Sequence, residues 1–158
     1  MNIFVLDEDI DKCVMYHNDK HTVKMILEYA QLLCSVHHVS GTELEIPYKL
    51  AHKNHPCTIW VRECIENYNW LCKLALALSK EYTYRYDRRH KSQDVIEWCI
   101  NNTPSVRKNS EMTSFAQAMP VEYKSSNAIE AYRKYYNEDK QHLANWKYRE
   151  TPEWFKLN

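Results

Sequence analysis

The sequence predicts an all-α fold: a compact single domain of four to five helices with a long connecting loop, spanning residues 1–158. Three observations predict it. Gly41 is the only glycine, whereas the turns of all-β folds draw on residues that tolerate positive φ. Apolar residues recur at helical spacing through several long windows. Cap-forming residues stand just ahead of those windows.

The elements follow in chain order. "NIFVLD" (2–7) reads as a short extended, strand-like lead-in, and Asp9 as the cap of a brief helix through Met15. Asp19 caps a long helix to about Val36, which "HHVSGTE" ends; His37 and His38 then sit where imidazolium favours the helix dipole. Its core face is Val23, Ile26, Leu27, Ala30 and Leu33. Residues 39–55 form a loop around Pro47. Pro56 suits the first turn of a second long helix, whose apolar series is Ile59, Trp60, Cys64, Tyr68, Leu71, Ala75 and Leu78, running on towards Tyr82. Ser92 caps a third helix through Ile100, and a loop from Asn101 to Ser125 holds Pro104 and Pro120. Asn127 with Glu130 resembles a capping box for a fourth helix, through about Trp146. The two large aromatics of "RETPEWFKLN" are expected to dock on the core.

Composition narrows the function classes. Neither a G-x-G-x-x-G turn nor a P-loop can be written with one glycine, and no cofactor is expected. The 21 basic and 21 acidic residues cancel, so the surface as a whole does not favour non-specific DNA binding, and only a local basic patch remains to do so. The six cysteines form no C-x-x-C pair and read as reduced thiols in a cytoplasmic core. No apolar run is long enough to span a bilayer, so no membrane partner is expected.

Chemistry concentrates in four stretches. In "HNDKHTVKMILE", His17, His21, Lys24 and Glu28 fall at i, i+4, i+7 and i+11, one stripe of a helix that Gln31 extends. A carboxylate sheltered beside an amine and imidazoles can serve as acid, base or cation stabiliser. The plain alternative is a Lys24–Glu28 surface pair contributing a few tenths of a kcal/mol. His17 and His21 with His52 and His55 of "HKNH" make a possible zinc set, weakened if Asp19 is a cap and His17 lies ahead of the helix. His52, Asn54 and His55 precede a helix start, where free N–H groups suit a phosphate, and Arg62 follows one turn on. "EYTYRYDRRHKS" interleaves Tyr82, Tyr84 and Tyr86 with Arg85, Arg88, Arg89, His90 and Lys91, stacking faces beside phosphate-matching forks. "SFAQAMPVEYK" places Gln117 in a loop beside Pro120, a common setting for pocket lining.

"DKHTVKMILE" with His21 and Glu28, the stretch from His55 through "WVRECIENYNWL", and the terminal "RETPEWFK" resemble the small phage-type pyrimidine-dimer DNA glycosylases. "KNHPC" and "FAQAMP" are similar to stretches of short phage-encoded proteins, which would place the chain in a host-cell cytoplasm. The resemblance implies a compact helical domain. It also implies an N-terminal α-amine that attacks the sugar C1′, a glutamate on the first long helix that assists, and arginines that hold DNA. Glu28 then becomes the catalytic carboxylate and His21 its neighbour. The chain departs from the pattern in two ways. Asn2 disfavours removal of Met1, so Met1 keeps the amine; and Ile3 and Leu27 stand where arginines are expected.

The leading expectation is therefore an enzyme, glycosylase/lyase-like, acting on an N-glycosidic bond of DNA or a nucleotide. Glu28, His21 and Lys24 would form the catalytic set. His52, Asn54, His55, Arg62, Arg85, Arg89 and Gln117 would hold substrate or phosphate. Two other classes stay open: a non-enzymatic nucleic-acid or nucleotide binder using residues 82–91, and a metal-dependent hydrolase built on His17, His21, His52 and His55.

Overall fold

A computed structural model describes residues 2–158, and among these all regular structure is helical. Six α-helices occur: α1 (Ile10–Tyr16), α2 (Asp19–Ser40), α3 (Pro56–Glu63), α4 (Ile65–Tyr86), α5 (Gln93–Asn101) and α6 (Ala128–Asp139), with single 3₁₀ turns at Val121–Tyr123 and Gln141–Leu143. This is more helices than the sequence predicts, and the extra one has a local cause. The second long helix breaks at Cys64, which is extended (φ −159°, ψ 163°). There the side-chain Nδ2 of Asn67 donates to the Trp60 carbonyl at 2.8 Å, and Ile65 N–H donates to Arg107 O at 2.9 Å. The same Asn67 side chain holds Thr113 through both its amide atoms. The 102–113 loop thus supplies partners at the gap.

Caps explain most other boundaries. Asp9 accepts from Lys12 N, as expected. Asn18, rather than Asp19, caps α2 by accepting His21 N–H at 2.8 Å. Asp19 instead accepts from the Arg85 guanidinium and from Lys147 N–H. Gly41, at φ 78°, ends α2 four residues beyond the expected stop. Ser92 precedes α5 without capping it, because its hydroxyl is bonded to Tyr48 Oη at 2.8 Å. Asn127 accepts from both Ile129 N and Glu130 N. Helix α6 stops at Asp139 instead of Trp146: the Gln141 side-chain amide takes the Asn137 carbonyl that its own backbone N–H would otherwise bond.

Helix α2 packs against α3, α4 and α5, and α1 lies on α4. Ile3 to Leu6 run extended through the core, buried on both sides and paired with no strand. Phe4 N–H donates to the Tyr29 hydroxyl, and the Leu6 carbonyl accepts from Arg133. The tail docks as expected: Phe155 is buried against Trp146, and Arg133 lies over the Trp154 ring. All six cysteines are buried and free. No described helix is long and apolar enough to cross a membrane.

Candidate active site

The polar stripe of α2 is graded rather than uniformly solvated. His17 lies before the helix, as the C-cap of α1, and is fully buried. Its Nδ1 is 2.8 Å from the Cys13 carbonyl, so that nitrogen carries the proton, and Nε2 accepts from the Tyr29 hydroxyl at 2.9 Å. His21 also faces inward. Its ring stacks on Phe4 at 4.2 Å, and its Nδ1 is 2.6 Å from the Tyr136 hydroxyl, which itself accepts Asn18 N–H. Burial, reinforced by the Arg85 charge, lowers His17 to about 4. Burial, with the His17, Lys140 and Lys24 charges behind it, lowers His21 to about 2. Both rings are neutral near pH 7. Lys24 is exposed, and Glu28 and Gln31 are half-buried. Val23 and Leu27 do not join the core face as expected. They are 41% and 40% exposed, because Thr22, Met25, Ile26 and Tyr29 turn the apolar side of α2 away from them.

Residues 52–62 form the second part of the site. His52, Lys53 and Asn54 are exposed, and His52 adopts a left-handed φ of 48°. His55 caps α3, its Nδ1 accepting Cys57 N–H at 3.1 Å. Burial lowers the His55 pKa, a nearby His52 charge adds to this, and the Glu28 carboxylate acts against it. Glu28 and His55 are therefore within electrostatic reach of each other. Arg62 Nη1 donates to Lys53 O at 2.6 Å and pins the turn that carries them. The start of the chain reaches the same place, since the Ile3 backbone acts on the buried Cys57 thiol. Two buried polar atoms there, Asn2 Oδ1 and Thr58 Oγ1, lack a protein partner. Nothing in the sequence marked Asn2 or Thr58 for this position. Met1, with the amine assigned to it from sequence, lies outside the described residues.

The basic run 81–92 does not act as one patch. Arg85 is 1% exposed. Its five N–H groups meet Glu81, Asp19 and the carbonyls of Val14, Met15 and His17, so it ties α4 to the end of α1. A phosphate contact by Arg85 gives way to this structural role. Burial alone would raise Glu81, but hydrogen bonds and charge from Arg149 and Arg85 hold it below the usual carboxylate range. Arg89 is exposed and paired with Asp94 and Glu97 on α5. The reading of residues 82–91 as a free-standing binding patch thus loses one of its two central arginines to the core and has the other neutralised. His90 and Lys91 turn back towards α2, with His90 Nε2 donating to Val23 O at 3.1 Å. Gln117 lies in another part of the fold and clamps a loop, donating to Ser125 O and accepting Ser125 N–H.

His37 is likewise not a dipole-facing cation. It is buried, with Thr42 on Nδ1 and Tyr68 on Nε2, and Tyr68 donates on to the Cys99 carbonyl. His17, His21, His52 and His55 do not gather. Among the described residues no cluster of three or more His, Cys, Asp or Glu is placed to hold a metal ion.

Sequence reading singled out the helix stripe but missed Phe4, Tyr29 and Tyr136, the groups that position its histidines. Their residue types signal only core, because their partners lie 12 to 115 residues away along the chain. No curated protein and no solved structure matches the chain. A family model described as pyrimidine dimer DNA glycosylase matches residues 1–94, a segment that holds Asn2, Glu28, His55 and α1 to α4. That segment is more than half of the sequence, and the chain belongs to the pyrimidine dimer DNA glycosylase family.

Proposed function

We propose that the protein is a DNA glycosylase that breaks the C1′–N bond of a dimerised pyrimidine, with Glu28 as its catalytic carboxylate. In such a step a nucleophile donates its lone pair to C1′ as the base leaves with the electrons of the C1′–N bond. Positive charge builds at the sugar, and a fixed carboxylate alongside stabilises it. The observation that carries the reading is the family match over residues 1–94, and it is supported by a half-buried Glu28 whose charge acts on His55 and by the Ile3 backbone beside Cys57 in the first turn of α3.

Roles follow from placement. His55 Nε2 faces the leaving base or a phosphate, and Arg62 keeps the 52–55 turn in position. His21, bound to Tyr136 and stacked on Phe4, is a positioning residue that fixes the inner side of α2. The nucleophile is an amine, either the α-amine of Met1 or the Lys24 side chain. Attack by a primary amine ends in an imine with the opened sugar, which borohydride reduces to a stable secondary amine.

The test uses a duplex carrying one pyrimidine dimer. The wild-type protein frees a pyrimidine of the dimer from its sugar, and borohydride traps a covalent complex. Glu28→Gln lowers the rate by roughly 10²–10⁴-fold. Full activity in Glu28→Gln overturns the role of the carboxylate. Trapping that survives Lys24→Gln but is lost on N-terminal extension assigns the α-amine, and the converse assigns Lys24.

A further inference from the structure

Two stretches that are far apart in sequence meet on the outer side of α2. Lys20, Val23, Lys24 and Leu27 of the helix face Tyr48, His90, Lys91 and Ser92 across a groove of about 460 Å³. The groove has a built frame. His90 Nε2 donates to Val23 O, Ser92 N–H donates to His90 Nδ1, and Tyr48 Oη bonds Ser92 Oγ. Its floor includes the two α2 residues that leave the core, Val23 and Leu27. Lys20, Lys24 and Lys91 are exposed around it, and among the described residues none of them makes a hydrogen bond or ion pair.

Charge makes this groove different from its neighbours. The grooves at α1/α4, at α6, at the tail and at Asp19 each include at least one carboxylate. This one includes none, in a chain whose charges sum to zero. Three unneutralised amines around an apolar floor suit a polyanion whose repeating unit has an apolar side. A nucleic-acid strand is such a ligand, with phosphates for the lysines and the C–H faces of its sugars for Val23 and Leu27. Lys24 stands one helical turn from Glu28, so a strand in the groove continues to the proposed reacting position.

We propose that this groove seats the sugar–phosphate backbone of the DNA that flanks the reacting nucleotide. The inference rests on the glycosylase reading, but its test does not use the chemistry.

Binding to an undamaged duplex is measured across a range of salt concentrations, for the wild type and for Lys20→Gln/Lys24→Gln/Lys91→Gln. Each phosphate neutralised contributes about 0.9 to the slope of log K against log salt, so the triple variant is expected to flatten that slope by roughly 2.7. Lys73→Gln/Lys80→Gln, exposed lysines at the α1/α4 groove, leaves the slope as it was. Leu27→Glu, which sets a carboxylate on the floor, lowers affinity about tenfold or more. An unchanged slope in the triple variant, an equal change in the control, or no duplex binding by the wild type overturns the proposal. If the wild type binds duplex with this slope but frees no pyrimidine from a dimer-bearing duplex, the glycosylase reading fails while the slope result stands.

Discussion

The Tyr29 hydroxyl lies 2.9 Å from His17 Nε2, and one proton arrangement satisfies both groups. The Cys13 carbonyl can only accept, so His17 Nδ1 is protonated and Nε2 accepts. Tyr29 therefore donates to Nε2, while its oxygen accepts Phe4 N–H at 3.1 Å. The extended N-terminus, the end of α1 and the middle of α2 are joined through one hydroxyl.

Removing that hydroxyl tests the link. Tyr29→Phe leaves His17 Nε2 and Phe4 N–H buried without partners, and each unsatisfied group costs roughly 1–3 kcal/mol. Denaturant unfolding is expected to show a lower midpoint with an unchanged slope. A midpoint equal to the wild type would mean that the bond contributes nothing.

Acid should weaken the fold before the carboxylates titrate. His17 and His21 are lowered from 6.5 to about 4 and about 2, mainly by burial, and His37, His55 and His90 are lowered too. Between the unfolded and folded values only the unfolded chain takes up the proton. Their stabilisation is thus complete above about pH 6.5 and is lost as pH falls towards 4. Each fully buried histidine removes about 1.4 kcal/mol per pH unit within that window. Unfolding free energies at pH 7, 6 and 5 check this, and a flat profile would contradict it.

Arg85 is expected to be essential to folding and irrelevant to DNA contact. Arg85→Met leaves three carbonyls without their donor and takes one partner each from Glu81 and Asp19, which keep Arg149 and Lys147 N–H, a loss of about 3–5 kcal/mol. Thermal melts should show a large drop in Tm. The variant that still folds should keep the wild-type salt slope in duplex binding.

Gly41 isolates a backbone effect. A Cβ there meets nothing within 4 Å, so Gly41→Ala is opposed only by its φ of 78°. A cost of about 1 kcal/mol follows for a non-glycine residue in the left-handed region. A loss of several kcal/mol would point to a contact beyond the backbone.

Local information carried much of the architecture. The Asp9 and Asn127 caps, the Pro56 start, the long second helix and the docked aromatic tail are all written in short windows of sequence. The breaks were not legible, because they are made by distant groups. Asn67 and Thr113 interrupt the helix at Cys64, and the Gln141 side chain ends α6. Asn18 and Asp19 are chemically equivalent as helix caps, so the sequence does not separate them. Only the approach of Arg85 and Lys147 decides between them.

The sequence by itself determined that the chain is helical and that His21, Lys24 and Glu28 share one side of its longest early helix, since both follow from the 3.6-residue period. Tertiary structure decided what each of those residues faces. It sent His21 and Arg85 inward, left Glu28 half-buried near His55, and opened Val23 and Leu27 to a lysine-rimmed groove. Periodicity specifies an angle around one helix axis. Burial and charge depend on which other segments, tens of residues away, pack against that angle.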